Sequence, residues 1–207
     1  MIHYFLGMEV WQNVDGISLG QGMMDRKDVT TPMASNLKLL SDASSEAVDD
    51  MMCRQMIGSL MYLTNTRPDI CFAVNTLSQF LIDPRHVHLI AAKHILRYLR
   101  GTVNYGLKYD TNQNINLEGY VDSDWVGSSI DRKSTSGCSL SMRSGVISWF
   151  SRKQSHVELS IAEAEYVTTC LVSSEEVSLR KLLFDLIDLQ LYATCMHCDN
   201  QSCVKLS

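Results

Sequence analysis

The order of apolar patterns in residues 105–207 restricts the folds open to this chain more than any other feature. Short alternating runs predict strands at 105–108, 116–121, 137–142 and 145–150. A run of helical periodicity follows from 161 to 187, then a predicted strand at 192–198 and the start of a helix at 200–207. Hairpins give antiparallel pairs, whereas a helix between two strands gives parallel ones. The order therefore predicts an α/β fold: a mixed sheet with flanking helices.

The first half of the chain has a different pattern. Residues 4–19 alternate loosely around Asp15-Gly16, which predicts a hairpin. Residues 20–52 predict a connecting segment with little structure of its own. Apolar residues at helical spacing then predict three helices, at 53–66, 68–81 and 86–100. The sequence thus predicts two parts, a largely helical one over 1–110 and a mixed-sheet one over 111–207.

Composition narrows the class of protein. Hydrophobic residues make up 45% of the chain and charged residues 20%, which is typical of a globular domain. No apolar run approaches the length of a membrane span, and the first residues lack the basic segment of a signal peptide. Seven cysteines, an odd number without a disulfide-type spacing, favour a reducing compartment. We therefore expect an intracellular protein, cytoplasmic or nuclear, with no membrane contact.

Basic residues concentrate in the middle of the chain. The net charge is −5, but residues 53–110 hold 7 Lys and Arg against 3 Asp and Glu. In the predicted helix at 86–100, Lys93, Arg97 and Arg100 recur on one face. Three cations on one face can follow a phosphate backbone, and they are also typical of an ordinary solvated helix surface. The pattern alone leaves both interpretations open.

Three acidic residues lie where ionised groups are unfavourable. Asp122 ends a predicted central strand, Asp199 directly follows the last predicted strand, and Glu165 lies in the opening turns of the helix between them. Parallel neighbours would bring both aspartates to the same sheet edge, within reach of the glutamate. Carboxylates that converge repel one another unless cations separate them, and hard oxygen ligands suit Mg²⁺ or Mn²⁺. The pattern is compatible with a site for two such ions, while an aspartate that ends a strand also commonly caps a turn.

Several stretches carry a resemblance to a known family. They are GSLMYLTNTRPDICFAVNTLSQF, RYLRGTVNYGL, GYVDSDW, DRKSTSG, ISWFSRKQ, AEAEYV and CDNQS, preceded by HYFLGMEV and TTPM. In this order and spacing they resemble the Pol polyprotein of copia-type LTR retrotransposons. The resemblance implies a reverse-transcriptase-derived segment, thumb- or connection-like, over 1–110 and an RNase H-like domain over 111–207. It further implies hydrolysis of the RNA strand of an RNA–DNA hybrid, with the rest of Pol as a partner and no small-molecule substrate.

The resemblance also implies roles for individual residues. Asp122 matches the first-strand aspartate of the family, Glu165 the second glutamate of its EAEY motif, and Asp199 the aspartate of CDNQS. These three would hold two Mg²⁺ or Mn²⁺ ions. Asp124 competes with Asp122 and ranks second because it falls beyond the predicted strand. Glu163 is then a helix-terminal residue that the helix dipole favours.

Departures from the family pattern bear on the expected activity. The aspartate pair of the polymerase is absent, and GQGMMDRK is shorter than the corresponding family segment. The sequence stops at Ser207, before the family's last histidine-containing stretch and fourth acidic ligand. We therefore expect a C-terminally truncated domain with weak or no nuclease activity. The alternative to an RNase H enzyme is an inactive retroelement remnant that retains at most nucleic-acid binding.

Two further motifs have competing interpretations. Arg132, Lys133 and Ser134 precede a predicted strand and can contact phosphates, or form a plain polar loop. Cys195 and Cys198 have a zinc-ligand spacing, but a strand over 192–198 would point them to opposite faces, and no second pair completes four ligands. The sequence therefore predicts a nucleic-acid contact in the loop and no zinc site.

Overall fold

A computed structural model describes most of the chain. The described residues are 2–5, 8–13, 16–19, 27–33, 45–109, 116–127, 131–142 and 145–206. They form two compact units, Met1–Gly106 and Leu107–Ser207. Each unit is described by itself.

The first unit begins with a small antiparallel sheet. Its strands are β1 (Ile2–Phe5), β2 (Met8–Asn13) and β3 (Gly16–Leu19), paired in chain order. The register of β2 on β3 places Asn13 opposite Gly16, so the predicted hairpin is confirmed. Asp15, which belongs to the predicted turn, lies outside the described residues.

Three helices follow, each close to its predicted position. They are α1 (Asp50–Leu63), α2 (Cys71–Ser78) and α3 (His86–Gly101). The first starts earlier than predicted because the side chain of Asp49 caps it, accepting hydrogen bonds from Met51 N at 2.9 Å and Met52 N at 3.2 Å. Pro68 opens a 3₁₀ turn, Pro68–Ile70, that leads into α2. The buried residues of these elements form one apolar core that includes Ile57, Leu60, Ile70, Val74, Leu77 and Ile95.

The second unit is a four-stranded mixed sheet with helices. Its elements are β4 (Leu117–Asp124), β5 (Thr135–Met142), β6 (Gly145–Lys153), α4 (Ile161–Ile187), β7 (Cys195–His197) and α5 (Gln201–Leu206). The strand order is β6-β5-β4-β7; β5 pairs antiparallel with both of its neighbours, and β4 pairs parallel with β7. The predicted mixed α/β architecture is therefore confirmed for this unit.

The alternation of β4 positions the sheet against α4. Leu117, Gly119 and Val121 are buried, whereas Glu118, Tyr120 and Asp122 face outward. The buried side packs in one cluster with Leu140 of β5 and Val172 of α4. Gly119 leaves room for the Met196 side chain of the adjacent strand, whose sulfur a Cβ at this position would overlap.

Three sequence expectations about strands are wrong. Residues 105–108 form no strand; the neighbouring Tyr109 instead contacts the sheet through its side chain, with its ring against Gly145 and its hydroxyl donating to Val146 O at 2.8 Å. The strand predicted over 192–198 is limited to 195–197, since β4 offers β7 only the positions 118–120 as partners. Asp124 is the last residue of β4 and does not lie beyond it. Alternation shows where a strand can form, but its length depends on a partner that lies elsewhere in the chain.

No helix within the described ranges is both long enough and apolar enough to cross a membrane. The 27 residues of α4 exceed the required length, but they include Glu163, Glu165, Glu175, Glu176, Arg180, Lys181 and Asp185.

Candidate active site

The parallel pairing of β4 with β7 brings two acidic segments to one edge of the sheet. Asp122 lies within β4, two residues before its end, and Asp199 lies two residues beyond the end of β7. The carboxyl ends of parallel strands share an edge, which is where α/β folds commonly build their sites. The third acidic residue, Glu165, comes from the second turn of α4.

Glu165 is the buried member of the group. Its side chain is 2% exposed, and its Oε1 accepts a hydrogen bond from Ser123 N of β4 at 3.0 Å. Burial, followed by the negative charges of Asp122 and Asp199, raises the pKa of Glu165 above its usual range. The ligand atoms of Glu165 and Asp199 lie within 4.8 Å of each other, whereas Asp122 is outside that group and adjoins Glu165 through Ser123 N, which also donates to Asp122 Oδ1 at 2.9 Å.

The start of α4 fixes the position of Glu165. Ser160 caps the helix by accepting a hydrogen bond from Glu163 N at 3.2 Å, and the Glu163 carboxylate accepts one from Leu159 N at 2.6 Å. Glu163 therefore occupies the first turn, as predicted. One turn further on, Gln154 Nε2 donates to Thr168 Oγ1 at 3.1 Å and to Ser136 Oγ of β5 at 2.8 Å. This buried polar network ties the helix to the sheet next to Glu165.

Asp124 has a different environment from Asp122. Its carboxylate packs against Gly127 in the turn after β4, where a Cβ would overlap it. Burial, then the charge of Asp122, raises the pKa of Asp124. Asp122, by contrast, shares a donor with Glu165, because Ser123 N donates to Asp122 Oδ1 at 2.9 Å and to Glu165 Oε1 at 3.0 Å. The geometry therefore favours Asp122 as the neighbour of Glu165, although the reason given by the sequence pattern, a strand end before Asp124, was wrong.

Cys198 belongs to the cluster, and sequence reasoning missed it. Its Sγ donates to Glu165 Oε2 at 3.8 Å, and the ligand atoms of Glu165, Cys198 and Asp199 all lie within 4.8 Å of one another. Burial raises the pKa of the Cys198 thiol to about 11, so the thiol is protonated at neutral pH. The sequence does contain a signal for Cys198, since this residue directly precedes Asp199, the expected metal ligand. The strand predicted over 192–198 included Cys198, so its side chain was not expected at the site.

The cations predicted to contact nucleic acid are placed unevenly. Arg132 is exposed and Lys133 half-buried in the segment before β5. Ser134 is fully buried, and its Oγ accepts a hydrogen bond from Val126 N at 3.3 Å. Because β4 and β5 are antiparallel, with Asp124 opposite Thr135, this segment lies at the same sheet edge as the carboxylates. The hydroxyl of Ser134 therefore serves the fold, and contacts of Arg132 and Lys133 with nucleic acid stay a prediction.

The basic face of α3 is partly used within the first unit. Arg100 forms an ion pair with Asp28 at 2.6 Å, and Arg97 lies 3.4 Å from His94 Nδ1. Lys93 is exposed. Arg97 and Arg100 thus make contacts within the unit, and the role of this face in binding phosphate stays a prediction.

Comparison with known proteins gives several long matches. The chain is 40% identical over 210 residues to the retrovirus-related Pol polyprotein from transposon RE1 of Arabidopsis thaliana, covering 96% of this chain and 14% of that protein. It is 38% identical over 192 residues to the Pol polyprotein from transposon TNT 1-94 of Nicotiana tabacum, covering 89% of this chain and 14% of that protein. The uncharacterized mitochondrial protein AtMg00810 of Arabidopsis thaliana is 36% identical over 186 residues, which are 84% of this chain and 77% of that protein.

The chain belongs to the family of retrovirus-related transposon Pol polyproteins. This confirms the resemblance to copia-type Pol proteins that the motifs indicated. The chain spans about 14% of the length of the Pol relatives it matches. No family model and no solved structure matches it.

Proposed function

We propose that the second unit of this Pol-family chain is an RNase H-like domain that hydrolyses the RNA strand of RNA–DNA hybrids during reverse transcription. The observation that carries the proposal is the position of Glu165, a buried carboxylate whose pKa is raised by burial and by two further carboxylates, Asp122 and Asp199. Perturbed acidic groups that converge at the carboxyl edge of a sheet are typical of functional sites.

The donor set fits divalent cations with a preference for oxygen ligands. Three carboxylates repel one another when ionised, and a divalent cation between them offsets that repulsion. Asp122, Glu165 and Asp199 are therefore the residues that would hold Mg²⁺ or Mn²⁺. Bound cations would supply an activated water and stabilise the charge on the scissile phosphate.

The protein's own groups hold this arrangement in place. Ser123 N fixes Glu165 Oε1 through a 3.0 Å hydrogen bond, and the capped first turn of α4 fixes the backbone before it. Arg132 and Lys133 lie at the same sheet edge and would bind phosphates of the hybrid backbone. The chain thereby combines a carboxylate cluster for hydrolysis with adjacent cations for positioning.

A hybrid-cleavage assay tests the proposal. The full chain is incubated with a labelled RNA–DNA hybrid in Mg²⁺ or Mn²⁺, and we expect Asp199→Asn and Glu165→Gln to lower the rate at least about 100-fold. The matched control is Asp185→Asn, which removes the same charge from an exposed position near the far end of α4. A rate that is equal in wild type and Asp199→Asn contradicts the proposal.

A second candidate function is hybrid binding without hydrolysis. The exposed Arg132 and half-buried Lys133 favour it, because they would bind phosphate even without catalysis. Saturable hybrid binding by a chain that cleaves nothing in either metal would support this candidate over the nuclease. We also propose that other parts of Pol are partners of the first unit, since the matched region is only a section of the RE1 and RE2 polyproteins.

A further inference from the structure

A thiol lies inside the carboxylate cluster. The ligand atoms of Glu165, Cys198 and Asp199 come within 4.8 Å of one another, and the thiol is hydrogen-bonded to Glu165 Oε2. Glu165 is buried, Cys198 is half-buried and Asp199 is exposed, so the group is open to solvent on the Asp199 side. A set of two carboxylates and one thiol differs in chemistry from the three carboxylates that suit Mg²⁺.

Sulfur and oxygen donors select different metals. Carboxylate oxygens suit Mg²⁺ and Mn²⁺, whereas thiolate sulfur favours Zn²⁺ and related softer ions. Zn²⁺ commonly takes four ligands from cysteine, histidine and carboxylate side chains, and accepts water as one of them. Two carboxylates, one thiolate and a water would therefore form an ordinary coordination shell for such an ion.

We propose that Glu165, Cys198 and Asp199 bind thiophilic divalent cations, such as Zn²⁺, Cd²⁺ or Co²⁺, at the site that we assign to Mg²⁺ under the proposed function. On binding, the S–H bond of Cys198 breaks, a metal–sulfur bond forms, and the proton passes to solvent without any transfer of electrons. Because Glu165 and Asp199 are shared, the two classes of cation exclude one another. Thiophilic ions are then inhibitors of the hydrolysis that Mg²⁺ supports.

The other cysteines of the described chain are not equivalent to Cys198. Cys195 lies on β7 and is exposed, as is Cys170 of α4, and neither belongs to the three-residue group. Cys203 is buried beside Cys198, with its sulfur 3.6 Å from Thr169 Oγ1. The position of Cys198 therefore predicts that this thiol, rather than the CxxC spacing with Cys195, confers binding of softer metals.

Cobalt absorption tests the inference. The starting protein is the full chain with Cys170→Ser and Cys195→Ser, which removes two exposed thiols outside the group. Titration with Co²⁺ should produce the near-ultraviolet charge-transfer band of a cobalt–sulfur bond. Adding Cys198→Ser should abolish this band and weaken Cd²⁺ binding, measured by calorimetry, at least about tenfold. A band that persists in the Cys198→Ser variant would overturn the inference.

A second measurement needs no substitution at Cys198. The wild-type chain is alkylated with iodoacetamide in the presence or absence of Cd²⁺, and each cysteine is quantified by peptide mass spectrometry. We expect Cd²⁺ to protect Cys198 and to leave Cys170 reactive. Equal alkylation of Cys198 with and without Cd²⁺ contradicts the inference.

The two proposals fail in different ways. Loss of Mg²⁺-dependent hybrid cleavage with a retained cobalt–sulfur band would overturn the proposed hydrolysis and leave the soft-metal site standing. Retained cleavage without the band would overturn the soft-metal site alone. Both readouts are taken on the same protein preparations.

Discussion

Asp69 of the first unit and Glu165 of the second are both shielded from solvent, but neighbouring groups shift their pKa values in opposite directions. Burial would raise the pKa of Asp69, but hydrogen bonds from Arg67 at 2.7 Å and Tyr98 at 2.8 Å outweigh it and lower that pKa. Burial also raises the pKa of Glu165, and there the charges of Asp122 and Asp199 raise it further. The first carboxylate has a cationic partner within the fold, whereas the groups beside the second carboxylate add to the effect of burial.

The Asp69 network also connects distant parts of the first unit. Arg67 donates to Thr102 O at 3.1 Å and to Thr102 Oγ1 at 2.7 Å, beyond its ion pair with Asp69. Tyr98 and Thr102 lie at the end of α3, so the network joins that end to the 3₁₀ turn before α2. Such a paired carboxylate serves stability, because each member satisfies the others.

The largest effect is expected from removing the cation of the paired site. Arg67→Ala leaves Asp69 without its ion pair and two Thr102 acceptors without their donor, so the unfolding free energy should fall by about 2–3 kcal/mol. Urea denaturation followed by circular dichroism measures this. The control is Arg54→Ala, whose ion pair with Asp50 and hydrogen bond from Nε to Leu81 O are both exposed and should together contribute about 1 kcal/mol or less. Equal losses for both variants would contradict the distinction between the two pairs.

The cations next to the unpaired site should affect binding rather than folding. Arg132→Ala with Lys133→Ala should weaken hybrid binding about tenfold at low salt and reduce the slope of log K against log salt by about 2. The matched control is Lys108→Ala with Lys181→Ala, which removes two exposed cations of the same unit. Fluorescence anisotropy over a salt series measures both quantities. An unchanged slope for the Arg132 and Lys133 pair contradicts their assignment.

The sequence predicted the order and pairing of the elements around the candidate site better than it predicted the side-chain contacts at that site. Alternation and helical periodicity are local properties, and they were sufficient to place β4, α4 and β7 and to infer the parallel pair that puts the segments of Asp122 and Asp199 at one sheet edge. The family resemblance selected Glu165 over Glu163, and the capping role of Glu163 agrees with that choice.

What the sequence could not predict depends on residues far apart in the chain. Cys198 meets Glu165 because β7 ends at His197, and that end is determined by pairing with β4 about 80 residues earlier. Ser134 is buried because Val126 and Gln154 lie against it. The Arg67–Tyr98 network likewise joins residues that no local pattern relates. Side-chain burial and strand length are properties of the assembled sheet, so they appear only in the structure.

Neutralising Glu165 should stabilise its unit, whereas breaking the ion pair of Asp69 should destabilise the other unit. In the absence of metal, Glu165→Gln removes a buried charge that two aspartates repel, while the amide oxygen can still accept from Ser123 N. We expect the unfolding free energy of the second unit to rise by up to about 1 kcal/mol, measured by native-state hydrogen exchange over α4 in EDTA. Glu163→Gln, on the same helix, should instead lower the unfolding free energy by roughly a few tenths of a kcal/mol, because the negative charge of Glu163 interacts favourably with the start of the helix. A clear loss of stability in Glu165→Gln would show that its charge is compensated within the fold.

The smallest expected effect is a difference between the two units in how their stability depends on pH, and in the first unit this dependence comes from His88. This histidine is 1% exposed, stacks on Phe80, and accepts a hydrogen bond at Nδ1 from Arg85 N at 2.9 Å, which requires the neutral ring. Burial lowers the pKa of His88; the charge of Asp83 opposes this and that of Arg85 adds to it.

Since the unfolded chain binds the proton more readily than the folded one, the first unit should lose stability as pH falls below about 6.5, the ordinary value for histidine. Glu165 acts with the opposite sign: its raised pKa makes the second unit lose stability as pH rises above about 4.3. Hydrogen exchange over α3 and α4 between these two pH values measures each unit separately. Stability that falls in α3 as pH rises through this window would contradict a neutral, buried His88, because a histidine held in its charged form by the fold would produce that slope.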